Sequence, residues 1–528
     1  MTDHRIAEQV QRRRTFAIIS HPDAGKTTLT EKLLLYSGLI QTAGLVKNRK
    51  GKLATSDWMG MEQERGISIT SSAMQFDYKG HVINVLDTPG HQDFSEDTYR
   101  TLTAADSAIM VLDARKGVEA QTRKLFDVCR IRGIPVLTFI NKLDMPGQEP
   151  LSLLAEVEQA LGIQACAFNW PVGSGPTFQG VVDRRTKELL IFRKTASGGA
   201  RRSEMDRIPL DDPRFEEILD KDVAAALRSE LELLDEAGTP YTQEAFLAGK
   251  VTPAFFGSAL TNFGLEPFFD AFLQLAPPPS DRPVDMADGS ESTIPAAGYF
   301  SGFVFKIQAN MDRRHRDSVA FIRICSGRYE PDMMVHHARL GKQVRLTRPV
   351  SVMARERNVL DEAFAGDVVG VVGRDIFHIG DTLSEKSGFT HKPLPLFQPE
   401  VFCRINPKTT ALRKRFDKGM QSLIAEGTVQ ELIPDNPAIR PIIAAVGRLQ
   451  FEVLQYRLED EYGVPTDMEN LPYEDSAWLE ANVETFRFPT TSIAARDKHG
   501  RLILLFRSKW DKRMAIQMNP DHRLLDMA

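Results

Sequence analysis

Short apolar runs alternate with longer amphipathic ones from about Thr15 onward. TFAIIS (15–20), HVINVLD (81–87), SAIMVLDA (107–114), PVLTFIN (135–141) and TPAFFGSA (252–259) read as strands. Between them, TLTEKLLLYSG (28–38) and TRKLFDVCRIRG (122–133) carry apolar residues at helical spacing. Strand and helix in repetition predict a mostly parallel sheet with helices on both faces. The pattern closes on LEPFFDAFLQLAPPPSDRP (265–283), where Pro277, Pro278, Pro279 and Pro283 end a helix and place a domain boundary near 280. From about Ala296 the runs become short and β-rich: GYFSGFVFKIQA (298–309), DSVAFIRICSG (317–327) and DVVGVVG (367–373). Turn signals separate them, which predicts a small closed barrel over 281–390. Lys392-Pro393-Leu394-Pro395 marks a second boundary. EVFCRIN (400–406), a helix over 410–427, IIAAVG (442–447) and a helix over 448–463 then predict an α+β domain at 391–528.

A chain of 528 residues exceeds one ordinary domain, in line with this division. Lys and Arg number 66 against 71 Asp and Glu, a net charge of −5. That excludes a general cationic nucleic-acid binder and leaves local basic patches open. Cys129, Cys166, Cys325 and Cys403 form no CxxC pair, so neither a zinc site nor a disulfide framework is expected. The first residues lack the apolar core of a signal peptide. The longest uncharged stretch, 161–182, is broken by Gly162, Pro171, Gly173, Gly175, Pro176 and Gly180. No membrane span and a cytoplasmic location are expected.

The chemistry concentrates just after the predicted strands. TFAIIS runs into Ser20-His21-Pro22-Asp23-Ala24-Gly25-Lys26-Thr27-Thr28 and then a helix. This is a phosphate loop with Ser20 where the pattern has its first glycine. Backbone N–H groups at a helix N-terminus face an anion there. Lys26 is placed to bridge β- and γ-phosphates, and the Thr27 hydroxyl to bind Mg²⁺. Asp87-Thr88-Pro89-Gly90-His91 follows a strand; Asp87 can hold Mg²⁺ through water, and Gly90 lets a backbone N–H approach a γ-phosphate. Asn141-Lys142-Leu143-Asp144 follows the strand PVLTFI. The Asp144 carboxylate can accept from N1–H and the 2-amino group of guanine, where adenine offers no donors. Lys142 lies along the base plane in this reading. Backbone N–H groups of Ser258-Ala259-Leu260 can reach the guanine O6. Any one tetrapeptide is a weak signal. Three of them in chain order after GKT, each just past a strand, point to GTP and GDP. Glu64-Arg65-Gly66-Ile67-Ser68-Ile69-Thr70 lies between the phosphate loop and DTPGH. Ser68 is the candidate that completes Mg²⁺ coordination while the γ-phosphate is present; a serine capping local backbone is the other reading.

SHPDAGKT, EQERGISI, DTPGH, NKLD and GSAL resemble the five guanine-nucleotide motifs of the translational GTPases, such as elongation factor G, with RGIS in place of RGIT. FVFKIQANMDRRHRDSVAFIRICSG (303–327) resembles the second-domain barrel of that superfamily. Within it, SHPDAGKT, NMDRRHRDSVAFIR (310–323) and VGRLQFEVLQYRLEDEYG (446–463) are most similar to the bacterial class II peptide-chain release factor family, release factor three. The resemblance implies an α/β P-loop G domain, a β-barrel and an α+β C-terminal domain, without the tRNA-mimicking C-terminal domains of the translocase. It implies a ribosome-dependent GTPase that ejects class I release factors after peptide release, a monomer that binds rRNA and ribosomal proteins. It implies that His91 orients the attacking water; an ordinary loop histidine is the alternative. Asp23 is a further candidate for orienting the histidine or for a monovalent cation. More than a hundred residues separate Asp144 from Ser258, and the excess reads as an inserted subdomain at about 145–250, containing Arg201 and Arg202. Arg313, Arg314, His315 and Arg316 form a local basic cluster, a candidate rRNA contact or a solvated hairpin. Another ribosomal translocase-like or protection GTPase, and a GTP-using metabolic enzyme subunit, are the competing functions.

Overall fold

The computed structural model describes residues 2–40, 72–89, 95–193, 201–309, 318–347, 349–353, 356–359, 361–373, 376–394, 396–480 and 485–526. Ser68, Gly90, His91 and the 313–316 cluster lie outside the described residues. The strands of the N-terminal part are β1 (Arg13–Ser20), β2 (Ser72–Tyr78), β3 (His81–Asp87), β4 (Ser107–Asp113), β5 (Val136–Asn141), β6 (Gln164–Ala167), β7 (Asn169–Val172), β8 (Gly180–Asp183), β9 (Glu188–Phe192), β10 (Met205–Pro209) and β11 (Val251–Phe256). Seven form one sheet in the order β2-β3-β1-β4-β5-β11-β6. All its neighbours are parallel except β2, which pairs antiparallel with β3.

Every residue of β1, β4, β5 and β11 is buried. Such strands read as continuous apolar runs because helices cover both faces of a parallel sheet. The strand period of two divides β1 between the faces. Phe16 and Ile18 enter one core with Val85, Ile109 and Phe139, while Ala17 and Ile19 enter the other with Leu86, Met110 and Ile140. Helix Ala120–Ile131 buries Gln121, Thr122, Leu125, Phe126, Val128 and Cys129, the stripe that a 3.6-residue period produces. Helix Leu265–Leu275 does the same with Phe268, Phe269 and Phe272, and Phe272 meets Phe16 edge-on at 4.4 Å. Strands β7 to β10 form a separate antiparallel sheet between β6 and β11, backed by helix Lys221–Ala237. Its buried Trp170 donates to Glu230 at 2.6 Å.

The middle region is an eight-stranded antiparallel ladder. It runs through 342–345, 334–337, 382–384, 301–309, 318–326, 368–373, 349–353 and 356–359 around Phe300, Val304, Ile324, Tyr329, Val335 and Leu383. It is fastened to the first domain by buried ion pairs. Arg323, fully buried, donates to Asp106 at 2.6 Å, and Arg282 donates to the other oxygen of Asp106 at 2.8 Å. Asp367 accepts from Arg13 at 2.8 Å, Gln75 at 2.8 Å and Asn84 at 3.1 Å. Buried charges of this kind persist only when paired and hydrogen-bonded.

The last region opens with strands Val401–Pro407, Gln430–Pro434, Ile442–Ala445 and Thr466–Asn470, with helices Arg413–Ala425 and Arg448–Tyr462 between them. Their order in the sheet is fourth, first, third, second, all antiparallel. That is the ferredoxin-like β-α-β-β-α-β arrangement. The sheet continues through Ile493–Arg496, Leu502–Phe506, Asp475–Glu480 and Arg523–Leu525. Cys129, Cys166, Cys325 and Cys403 are all buried and unpaired by disulfide. Among the described residues no helix is long and apolar enough to cross a membrane.

Candidate functional site: four loops at the carboxyl edge of the sheet

Strands β1, β3, β5 and β11 are parallel members of one sheet, so the loops that follow them open on one edge. Ser20 is the last residue of β1, paired with Val111 and buried. An extended strand end needs no glycine there, which accounts for the departure from the usual phosphate-loop pattern. The chain then turns through Asp23 at φ 65° and Gly25 at φ 105° into helix Lys26–Ser37. That helix has no side-chain cap and no acidic residue in its first turn. Among the described residues its leading N–H groups therefore face the loop without a side-chain acceptor. Thr27 and Thr28 are half-buried on this turn. His21 sits 3.2 Å from Glu119, and Pro22 beside it is half-buried.

Lys26 is buried and donates to Asp87 at 2.6 Å. The GKT lysine and the carboxylate of DTPGH, sixty-one positions apart, thus meet at the ends of β1 and β3. Thr88 donates to the Ile18 carbonyl at 2.7 Å and fixes the start of the DTPGH loop against β1. The Pro89 carbonyl accepts from Thr98 at 3.2 Å, on the helix that follows the loop.

Asn141 is the junction of the site. Its Nδ2 donates to the Ala24 carbonyl at 2.8 Å, and its Oδ1 accepts from the Ala259 N–H at 2.8 Å. One buried amide therefore ties the phosphate loop to the SAL loop. Gly25 must be glycine on two counts: its φ is positive, and a Cβ would lie 2.2 Å from Asn141 Nδ2. Lys142, at φ 69°, donates to Asp113 at 2.9 Å and to the Asp23 carbonyl. The Leu143 side chain is buried, and its N–H donates to the Gly257 carbonyl at 3.3 Å. Asp144 accepts from the Ser258 hydroxyl at 2.6 Å through Oδ1. The Ser258 N–H is held by Phe263 at 2.9 Å. With Ala259 held by Asn141, the exposed Leu260 carries the SAL N–H that has no acceptor among the described residues.

Asp113, at the end of β4, is a site residue that the sequence motifs miss. Burial raises its pKa, but hydrogen bonds from Arg115 and Lys142 outweigh that and hold the carboxylate well below its ordinary range. A signal for it exists, since Asp113 ends the apolar run SAIMVLD as Asp87 ends HVINVLD. Behind the site, helix Ser95–Thr103 is docked into the C-terminal region. Buried Arg100 donates to the Glu426 carbonyl at 3.3 Å and the Gly427 carbonyl at 3.0 Å. The Tyr99 and Phe397 rings lie 3.8 Å apart.

The chain matches the elongation factor Tu GTP binding domain over residues 11–278, elongation factor G domain 2 over 299–386, and the class II release factor RF3 C-terminal domain over 391–516. It is 51% identical over 530 residues to peptide chain release factor 3 of Acaryochloris marina, spanning 99% of this chain and 96% of that one. It is 51% identical to peptide chain release factor 3 of Gloeobacter violaceus, spanning 100% of both chains. Against that of Symbiobacterium thermophilum the identity is 50%, spanning 98% and 97%. A crystal structure from Thermus thermophilus shares the fold, with a TM-score of 0.69 at 22% identity, covering 92% of this chain and 72% of that one. With a guanine-nucleotide-binding domain, a barrel and a release-factor C-terminal domain in that order, the chain belongs to the peptide chain release factor 3 family, GTPases of translation termination.

Proposed function

We propose that this GTPase works on the ribosome, where GTP binding and hydrolysis drive a class I release factor off after peptide release. In this reading it acts as a cytoplasmic monomer that touches rRNA and ribosomal proteins. The observation that carries the nucleotide part is the convergence of Lys26, Asp87, Asn141 and Asp144 at one sheet edge, around a helix end that no side chain among the described residues caps.

The assignments follow from chemistry. Lys26 and the first-turn N–H groups hold the β- and γ-phosphates, with Lys26 exchanging its carboxylate partner for phosphate oxygens. The free oxygen of Asp144 and the Leu260 N–H read the guanine edge. Asn141 and Lys142 brace the loops, and Lys142 lies along the base plane. Thr27, Asp87 and Ser68 form an all-oxygen donor set, which suits a hard cation. Mg²⁺, when bound there, neutralises charge on the β- and γ-phosphate oxygens. His91 orients the attacking water once the ribosome has positioned it.

His91→Ala tests the catalytic assignment. Nucleotide affinity should hold while ribosome-stimulated hydrolysis is lost; a loss of affinity of about tenfold would show that His91 is structural. Displacement of a class I factor from a post-hydrolysis ribosome complex tests the termination role. If none is displaced, the ejection reading fails and the GTPase stands.

A further inference from the structure

Trp510 is the most unusual exposed side chain of the C-terminal region. Its surface is 60% exposed, against full burial for Trp170 and Trp478. It lies in the first turn of helix Lys509–Met518. The inner face of that helix is tightly held. Lys512 donates to Asp475 at 2.9 Å, Asp526 at 2.7 Å and Gln398 at 2.8 Å; Ala515 is fully buried; Asn519 donates to the Ala515 and Arg487 carbonyls. By helical geometry the opposite face presents Trp510, Arg513 and Gln517 together.

The charge around the indole is one-sided. Arg507, Lys509 and Arg513 are exposed, and among the described residues none has an acidic partner. The one carboxylate in this stretch, Asp511, is turned inward and accepts from Ser508 at 2.8 Å and Thr491 at 3.2 Å. A rigidly mounted helix thus shows solvent a flat aromatic ring with Arg513 on the same face, and the exposed Arg507 and Lys509 precede the ring in sequence. In a protein whose overall charge is −5, that is a local and opposite signal. An aromatic platform flanked by basic groups is the arrangement that stacks an unpaired base and meets the neighbouring phosphates.

We infer that the outward face of helix 509–518, centred on Trp510, contacts a single-stranded segment of ribosomal RNA. A base stacks on the indole, and Arg507, Lys509 and Arg513 meet the flanking phosphates. This rests on the reading that the protein works on the ribosome. Its test uses the full chain bound to a non-hydrolysable GTP analogue, with binding to ribosomes measured across a salt series and ultraviolet crosslinks mapped from position 510.

Trp510→Ala should weaken ribosome binding by about tenfold, and Trp510→Phe should retain most of it. Arg513→Ala should reduce the slope of log affinity against log salt by about one. Nucleotide affinity should be unchanged in all three, and the crosslink should fall on rRNA. Equal binding by wild type and Trp510→Ala would overturn the inference and leave the ribosomal reading intact. Weakened binding with an unchanged salt slope and a crosslink to a ribosomal protein would also overturn it, in favour of a protein partner. Wild type that does not bind ribosomes at all would overturn both.

Discussion

Replacing Gly25 by alanine attacks the phosphate loop through its backbone, since Gly25 has no side chain to offer a ligand. Gly25 has φ 105°, so an alanine there sits in a backbone region that costs about 1–2 kcal/mol. The new methyl would also lie 2.2 Å from Asn141 Nδ2, inside any tolerated contact. Asn141 cannot simply swing away, because Ala24 and Ala259 hold both ends of its amide at 2.8 Å. Displacing it breaks two buried hydrogen bonds at about 1 kcal/mol each. The sum is about 3–4 kcal/mol, borne by the loops that form the site. Guanine-nucleotide affinity should therefore fall by a factor of about 100 or more. Equilibrium binding of a fluorescent GDP analogue to the full chain measures it. The decisive comparison adds Asn141→Ala. If the amide is the obstacle, Gly25→Ala should cost much less in the Asn141→Ala background, about the backbone term alone. Additive effects of the two changes would refute the steric argument. So would a Gly25→Ala protein that binds within threefold of wild type.

Arg100→Ala should lower the thermal midpoint of unfolding with little change in nucleotide affinity, because it leaves the Glu426 and Gly427 carbonyls without their donor. Gly427→Ala should reproduce the loss, since a Cβ there would lie 2.1 Å from Arg100 Nη1; calorimetry on both variants checks this. His391 offers a pH test. Burial first, and then the charge of Arg282, push its pKa down to about 3. A group depressed in the folded state is neutral there while the unfolded chain already binds its proton. Stability should thus fall as pH drops from about 6.5 towards 3, by up to about 3 kcal/mol at pH 4 from this residue. His391→Gln should flatten that slope in urea titrations between pH 7 and pH 4, and an unchanged slope would remove His391 as its source.

Much of the fold and site is legible because parallel strands announce themselves. β1, β3, β4, β5 and β11 are buried on both faces, so they stand out as apolar runs, and the loops after four of them carry the nucleotide motifs. Edge strands carry less signal. β2 mixes buried positions with the half-buried Ser72 and Gln75 and the exposed Asp77, and β6 is four residues long with an exposed first residue; neither reads clearly as a run. The ferredoxin-like repeat is half visible, since Gln430–Pro434 and Thr466–Asn470 mix polar with apolar positions and hide between helices. Inside the site, sequence identifies the motif residues but not their division of labour. NKLD points to Asp144 for base recognition and to Lys142 along the base plane, but it does not announce the hydrogen bonds of Asn141 and Lys142 to Ala24, Ala259, Asp113 and Asp23. Such roles depend on which loop comes to lie opposite, and that is set by strand order, not by the tetrapeptide.

The Asp106–Arg323 pair has an evolutionary consequence. Its two residues are 217 positions apart and belong to separate domains, and both are buried. Loss of Asp106 would strand Arg323 in a low-dielectric interior, at about 3–5 kcal/mol, while loss of Arg323 would leave Asp106 with Arg282 alone. Asp106 cannot drift while Arg323 keeps its charge, so the G domain is tied at this position to the barrel. A descendant that exchanged its barrel for another would have to bring a buried cation to the same place, or rewrite Asp106 in the same stroke.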